Sequence, residues 1–180
     1  VAKNTVKRGI WIRHFIDRSL SDVRRMSKTF KRDFRGLAVV KGKNFIGLEY
    51  AGEATELAAK YYQEGADELV LLDISATNER RKTSLEIVKK IKKKLFIPLT
   101  VGGGIKSVEQ IRELLSSGAD KISLNSAAVR DPKLIEVVSQ EFGKQCIVVS
   151  IDSKKINGKD FVFTNSAAKE TALLTTEWAR

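Results

Sequence analysis

An α/β protein of the (β/α)8 barrel type, present as a partial barrel of about five strands behind a basic N-terminal helix, is the fold the sequence predicts. Three observations carry that expectation. From Val39 onward, apolar runs of strand length alternate with helical patterns. The strand runs are nearly continuous rather than alternating, as expected of strands buried on both faces of a parallel sheet. The chain also repeats itself: Glu64-Gly65-Ala66-Asp67-Glu68-Leu69 returns as Ser117-Gly118-Ala119-Asp120-Lys121-Ile122, each time where a helix ends and a strand begins. Repeated βα units with right-handed crossovers build either an open doubly wound sheet or a closed barrel, and a paired repeat favours the barrel. A whole barrel takes about 250 residues. The 180 present form one domain with one core and hold only part of such a barrel.

The head comes first. Residues 1–35 hold a net charge of +8 out of +11 for the chain, so the basic excess is local. Ile12, Phe15, Ile16, Leu20, Val23, Met26 and Phe30 recur at helical spacing, which predicts a basic amphipathic helix and marks residues 1–32 as an extension from a body at 33–180. Such a helix could touch RNA or acidic lipid, serve as an organellar transit peptide, or lie solvated with its apolar face docked on the body. The last reading is preferred, so no nucleic-acid contact is expected. His14, the only histidine, has no second ligand-type neighbour in this head, so neither a metal nor a catalytic role is expected of it.

The body then reads as punctuated βα units. A first helix spans 53–63 and is closed by Gly65; the strand 68–74 follows. A second helix lies within 82–94, with Leu85, Val88 and Ile91 on one side, and leads to the strand 96–101. The third starts at Ser107 as N-cap, buries Val108, Ile111, Leu114 and Leu115, stops at Gly118 and feeds the strand 121–124. The fourth has Asp131 as N-cap, Pro132 at its first position and Gly143 past its end, before the run 146–151. A polar, glycine-bearing segment at 152–160, the short Phe161-Val162-Phe163 and the start of a helix at Trp178 complete the chain.

Chemistry concentrates at Thr100-Val101-Gly102-Gly103-Gly104, where a buried strand ends in a glycine triplet before a helix. Glycines let the backbone approach an anion, and the first N–H groups of a helix lack intrahelical partners, so a phosphate would sit there; a tight turn without ligand is the competing reading. The single cysteine, Cys146, excludes a disulfide framework and a cysteine-rich metal site and reads as a buried structural thiol, which fits a reducing cytoplasm. No apolar stretch approaches the roughly 18 residues of a membrane helix, and no signal-peptide core is present at the start.

Several strings occur in a fixed order: Val39-Val40-Lys41-Gly42-Lys43-Asn44-Phe45, Asp73-Ile74-Ser75-Ala76-Thr77, Arg81-Lys82-Thr83, the glycine triplet with Ile105, Ser123-Leu124-Asn125-Ser126-Ala127-Ala128-Val129, and Ile147-Val148-Val149-Ser150-Ile151-Asp152. From about Asp33 onward they resemble the cyclase subunit of imidazole glycerol phosphate synthase, the HisF family. The sister isomerase of histidine synthesis shares the glycine triplet and the strand ending in Ile-Asp. It lacks the Asp-Ile-Ser-Ala-Thr string and the insertion around Asn157-Gly158-Lys159.

The resemblance implies a (β/α)8 barrel that takes ammonia from a glutaminase partner and joins it to a phosphoribulosyl-formimino aminoimidazole carboxamide ribonucleotide, with no cofactor or metal. Imidazole glycerol phosphate and the aminoimidazole carboxamide ribonucleotide would leave. By the same resemblance Asp152 and Asp33 are the proton-transferring pair, and Gly104, Asn125 and Ser126 line a phosphate cradle. Asp73 ends the second strand at the catalytic face, Lys41 sits in a lid-like first loop, and Glu68 and Lys121 ring the ammonia entrance. The rivals are the isomerase and a non-catalytic phosphate- or nucleic-acid-binding module.

Three features depart from the family pattern. Residues 25–33 carry too many charges to form a strand buried inside a barrel, which puts Asp33 in question, and Ser27 stands where an entrance arginine is expected. Strands six to eight have no counterpart, so an incomplete gene product is preferred over a genuine half-barrel. The expected consequence is that these 180 residues alone yield little or no cyclase product with ammonia; steady turnover by the purified chain would contradict it.

Overall fold

In the computed structural model, the described residues are 10–15, 38–43, 46–73, 85–165 and 167–180. Their order is β1 (Ile10–Phe15), β2 (Ala38–Lys43), β3 (Ile46–Glu53), α1 (Ala54–Gln63), β4 (Glu68–Asp73), α2 (Leu85–Lys92), β5 (Leu99–Gly102), α3 (Val108–Ser116), β6 (Lys121–Leu124), α4 (Ser126–Arg130), α5 (Lys133–Phe142), β7 (Ile147–Val149), β8 (Asp152–Ile156), β9 (Lys159–Thr164), β10 (Lys169–Leu174) and α6 (Thr175–Trp178).

The centre is an arc of four parallel strands, β4-β5-β6-β7, adjacent in space in the order they have in the chain. An unreversed order with right-handed crossovers puts every connecting helix on one face, which is the winding of a barrel and excludes the doubly wound alternative. Alternation along each strand aims Leu69 and Leu71, Leu99 and Val101, and Ile122 and Leu124 at that helical face, where all six are at most 1% exposed. They form one core with Ala54 and Ala58 of α1, Ile87, Val88 and Ile91 of α2, Ile111 and Leu114 of α3, and Leu134 and Val138 of α5. The chain is thus an α/β protein carrying part of a (β/α)8 barrel.

The repeat seen in the sequence is a repeated hydrogen-bond pattern. Gly65 N–H donates to Tyr62 C=O and Ala66 N–H to Tyr61 C=O; Gly118 N–H donates to Leu115 C=O and Ala119 N–H to Leu114 C=O. Both glycines have positive φ, 86° and 106°, and both alanines are buried. Each is a Schellman helix end that turns the chain straight into the next strand. Asp120 closes the second copy by accepting from the Leu99 N–H and the Lys92 ammonium, both at 2.7 Å.

Most boundaries stand where the sequence puts them, and the differences have local causes. The expected strand 96–101 begins only at Leu99, because Pro98 has no N–H to pair; its carbonyl accepts from Leu69 N–H, and Phe96 is 88% exposed. The run 146–151 shortens to β7, with Cys146 half-buried in a 3-10 turn rather than inside a strand. Val148 and Val149 are each 38% exposed: among the described residues β7 pairs only with β6, so the expectation of burial on both faces fails there. The polar segment after Asp152 is an antiparallel sheet, β10-β9-β8, whose first turn is Asn157-Gly158 with φ 49° and 80°, a hairpin geometry favoured by that dipeptide.

The head needs the largest correction. Ile10–Phe15, the start of the expected helix, is a strand that pairs antiparallel with β4 from Ile10↔Asp73 to Phe15↔Glu68 and meets β2 at Ile10↔Val39. The open backbone edge of β4 offers hydrogen bonds that helical spacing could not anticipate, and Ile-Trp-Ile has high strand propensity. The rest of that helix, residues 16–32, lies outside the described residues. Lys41, expected in a loop, is in β2 with its backbone opposite Glu49 of β3.

Among the described residues, no helix is long and apolar enough to cross a membrane. The two glycine roles in this fold separate experimentally. A Cβ at Gly65 meets nothing within 4 Å, so Gly65→Ala should cost only its left-handed backbone, about 1–2 kcal/mol. A Cβ at Gly103 would lie 2.1 Å from the Asp73 carbonyl oxygen, so Gly103→Ala should cost about 3 kcal/mol or more. Urea titrations of the two variants measure the difference.

Candidate functional site

The parallel arc delivers four connections to one rim, the C-terminal ends of its strands. Asp73 closes β4, the glycine turn follows β5, Asn125 and Ser126 follow β6, and Asp152 lies three residues beyond β7. Ser150 N–H still donates to Leu124 C=O at 2.8 Å, so the chain runs beside β6 almost to Asp152. Sequence positions spread over eighty residues therefore converge because parallel pairing puts like ends together.

The glycine turn is shaped by contact with its neighbours. A side chain at Gly102 would strike Leu72 and Ser123 from the strands on either side, and Gly103 packs against the backbone of Asp73, whose side chain is fully buried. Positive φ at Gly103 and Gly104, 94° and 69°, folds the backbone over the rim. Helix α3 does not offer its whole N-terminus to a ligand. The Ser107 hydroxyl accepts from Gln110 N–H at 3.4 Å, which caps one donor of the first turn, and the Gln110 carboxamide accepts from Lys106 N–H, just before the cap, at 2.7 Å.

Asn125, Ser126 and Asp152 come together with the turn between β9 and β10. The Asn125 side chain and the backbone N–H of Ala167 are among the groups that favour the charged form of Asp152. The Ser126 hydroxyl accepts from Asn165 N–H at 2.9 Å. Lys154, over the Phe163 ring at 4.4 Å and donating to Ala167 C=O at 2.6 Å, adds a positive charge near Asp152. Burial nevertheless dominates and raises the Asp152 carboxyl above its ordinary value; the Asn125 and Ala167 donors and Lys154 pull it down less strongly. A carboxyl held in this balance keeps its proton to higher pH than a solvated aspartate does.

At the opposite rim, Glu68 accepts from the Thr100 hydroxyl at 2.6 Å and pairs with Lys121 at 2.8 Å, the side chains being 25% and 35% exposed for Glu68 and Lys121. Glu68 and Lys121 occupy equivalent places in the two sequence repeats, and one strand, β5, separates them.

The structure thus places Asp73, Gly104, Asn125, Ser126 and Asp152 at one end of the arc and Glu68 and Lys121 at the other. Asp33 lies outside the described residues, and the side chain of Lys41 is likewise not described. Thr100, Lys154, Asn165 and Ala167 were not anticipated. Thr100 had a signal, a hydroxyl in an otherwise apolar strand, whereas the other three reach the rim only because β9 and β10 fold back over it.

Residues 33–180 match the family described as histidine biosynthesis protein. A relative from Dehalococcoides mccartyi (strain ATCC BAA-2100 / JCM 16839 / KCTC 5957 / BAV1), "Imidazole glycerol phosphate synthase subunit HisF", is 56% identical over 141 residues, which cover 78% of this chain and 56% of the relative. A protein of the same name from Clostridium botulinum (strain 657 / Type Ba4) is 54% identical over 144 residues, 79% of this chain and 57% of that protein. The chain spans little more than half the length of the relatives it matches.

The raised Asp152 pKa has a stability consequence of definite sign. The unfolded chain gives up this proton near the ordinary value of 3.8 while the folded chain keeps it to higher pH, so stability is lost as pH rises from that value through the folded pKa. Asp152→Asn should therefore match the parent below about pH 3 and be more stable at neutral pH, as read from urea midpoints across the range.

Proposed function

Since the chain belongs to the histidine biosynthesis protein family, we propose that it carries the cyclase half-reaction site of imidazole glycerol phosphate synthase. Ammonia supplied by a glutaminase partner is joined to a phosphoribulosyl-formimino aminoimidazole carboxamide ribonucleotide, and imidazole glycerol phosphate and the aminoimidazole carboxamide ribonucleotide leave. The observation that carries this reading is the shared rim: a glycine turn suited to phosphate and a half-buried carboxyl with a raised pKa at the same ends of the parallel strands. The isomerase reading is not favoured, because the relatives described are cyclase subunits.

In this reading residues 33–180 are the cyclase-like unit and residues 1–32 an extension. Gly104 and Ser126 border the phosphate, the turn backbone approaching the anion closely and the hydroxyl exchanging its Asn165 donor for a phosphate contact. Asp152 transfers a proton at the ring-forming carbon skeleton, and Asp33 is its opposite number. Asp73 braces the glycine turn through its backbone, and Lys41 covers the substrate from the first hairpin. Ammonia arrives from the other rim, past Glu68 and Lys121, whose pairing across β5 sets the charge at the mouth. The work takes place in the cytoplasm.

Calorimetric titration with inorganic phosphate tests the cradle. The parent chain should bind, and Gly104→Val should weaken binding about tenfold, the value of one charge-assisted hydrogen bond. Equal affinity of parent and variant would remove the glycine turn from the site.

A further inference from the structure

We propose that Asn157 is a self-modifying site: the hairpin tip Asn157-Gly158 holds its own nucleophile and electrophile and converts Asn157 to aspartate and isoaspartate, with water as co-reactant. The first step is intramolecular. The Gly158 backbone nitrogen loses its proton to solvent base and attacks the Asn157 carboxamide carbon. A new N–Cγ bond closes a five-membered imide, the Cγ–Nδ2 bond breaks, and Nδ2 leaves as ammonia. Water then adds to one imide carbonyl. Opening at the side-chain carbonyl gives aspartate; opening at the main-chain carbonyl gives isoaspartate, in which the chain runs through the former side chain.

Four observations carry the assignment. Asn157 alone among the asparagines precedes a glycine, the residue with no Cβ to crowd the nitrogen that must turn in on the carboxamide. The Ile156↔Lys159 pair closes the ladder beneath the turn, so both tip residues lie outside it. Among the described residues, neither the Asn157 carboxamide nor the Gly158 N–H has a hydrogen-bond partner, so no hydrogen bond holds either reacting group back. Both residues are exposed, and a Cβ at Gly158 would meet nothing within 4 Å, which leaves room for the ring and for water.

Local charge acts in the same direction. Lys155 and Lys159, both exposed, flank the turn, and Asp160 stands opposite Lys155. The balance is positive, which favours the amide anion that attacks. Asn125 and Asn165 lack these conditions, since each precedes a serine. Asn125 is half-buried with its C=O held by Val129 N–H at 3.1 Å, and Asn165 N–H is held by the Ser126 hydroxyl at 2.9 Å.

Peptide mapping by mass spectrometry after mildly alkaline incubation of the full chain, with isoaspartate counted by enzymatic carboxyl methylation from S-adenosylmethionine, tests the proposal. In buffer the Asn157 peptide should gain the mass of an amide-to-acid exchange and accept methyl groups. Its rate should stay within about tenfold of that in urea, because the folded turn adds little to the barrier. Asn125 is the folding control and should react in urea only. Gly158→Ala should slow the Asn157 reaction about tenfold by crowding the nitrogen. Asn157→Gly, which suits a turn of positive φ if the alanine variant fails to fold, should remove methyl acceptance from this peptide. A buffer rate at Asn157 more than about tenfold below that in urea, or Asn125 reacting as fast as Asn157 in buffer, would overturn the proposal, as would methyl acceptance unchanged in Asn157→Gly.

Discussion

Parallel pairing in unbroken order is the constraint from which the rest of this structure follows. Leu69, Leu71, Leu99, Val101, Ile122 and Leu124 must all reach one helical face, and a one-residue slip in any strand would turn its apolar set away from the helices. That requirement fixes the register of β4 through β6, and the register fixes which residue stands last on each strand. Asp73, the glycine turn and Asn125 share a rim because the core leaves them no alternative. The two Schellman ends at Gly65 and Gly118 serve the same constraint from below, turning each helix into its strand in the same number of residues.

At the rim the chemistry depends on a balance of opposed effects at Asp152. Burial disfavours its charged form, and the donors from Asn125 and Ala167 restore part of what burial removes. These donors come from different elements: Asn125 belongs to the parallel arc, Ala167 to the turn between β9 and β10. The small antiparallel sheet is therefore part of the site. It brings Asn165 to Ser126, a contact that ties the late part of the chain to the end of β6, while Lys154 over Phe163 and on Ala167 C=O holds the small sheet together. The opposite rim is built more simply, from inward-facing positions of neighbouring strands: Glu68, Thr100 and Lys121 form one polar layer across β4, β5 and β6.

Departures from the barrel pattern fall where strands lack a barrel neighbour. The β4 edge is taken by Ile10–Phe15, which runs antiparallel and precedes the residues matched to the family. A strand there satisfies backbone groups that would otherwise face no partner. At the other margin β7 is short, and Val148 and Val149 are partly exposed, as expected of a strand paired on one side only among the described residues. Both margins show that apolar periodicity reports what a segment could bury, while its final form depends on which edge stands open beside it.

Local residue chemistry was enough to determine the helices and their ends. Gly65, Gly118 and Gly143 past the helix ends, Ser107 and Asp131 before the starts, and apolar spacing in between act within a few residues, so they are legible without a third dimension. The glycine triplet and the Asn125-Ser126 and Asp152 strings were legible as well, because each is a contiguous motif. Tertiary structure alone decided that Ile10–Phe15 is a strand, that Thr100 completes the Glu68–Lys121 pair, and that the turn between β9 and β10 meets Ser126 through Asn165. Those outcomes depend on residues far apart in the chain, whose distances are set by strand pairing and by the fold-back of β9 and β10 rather than by any local preference.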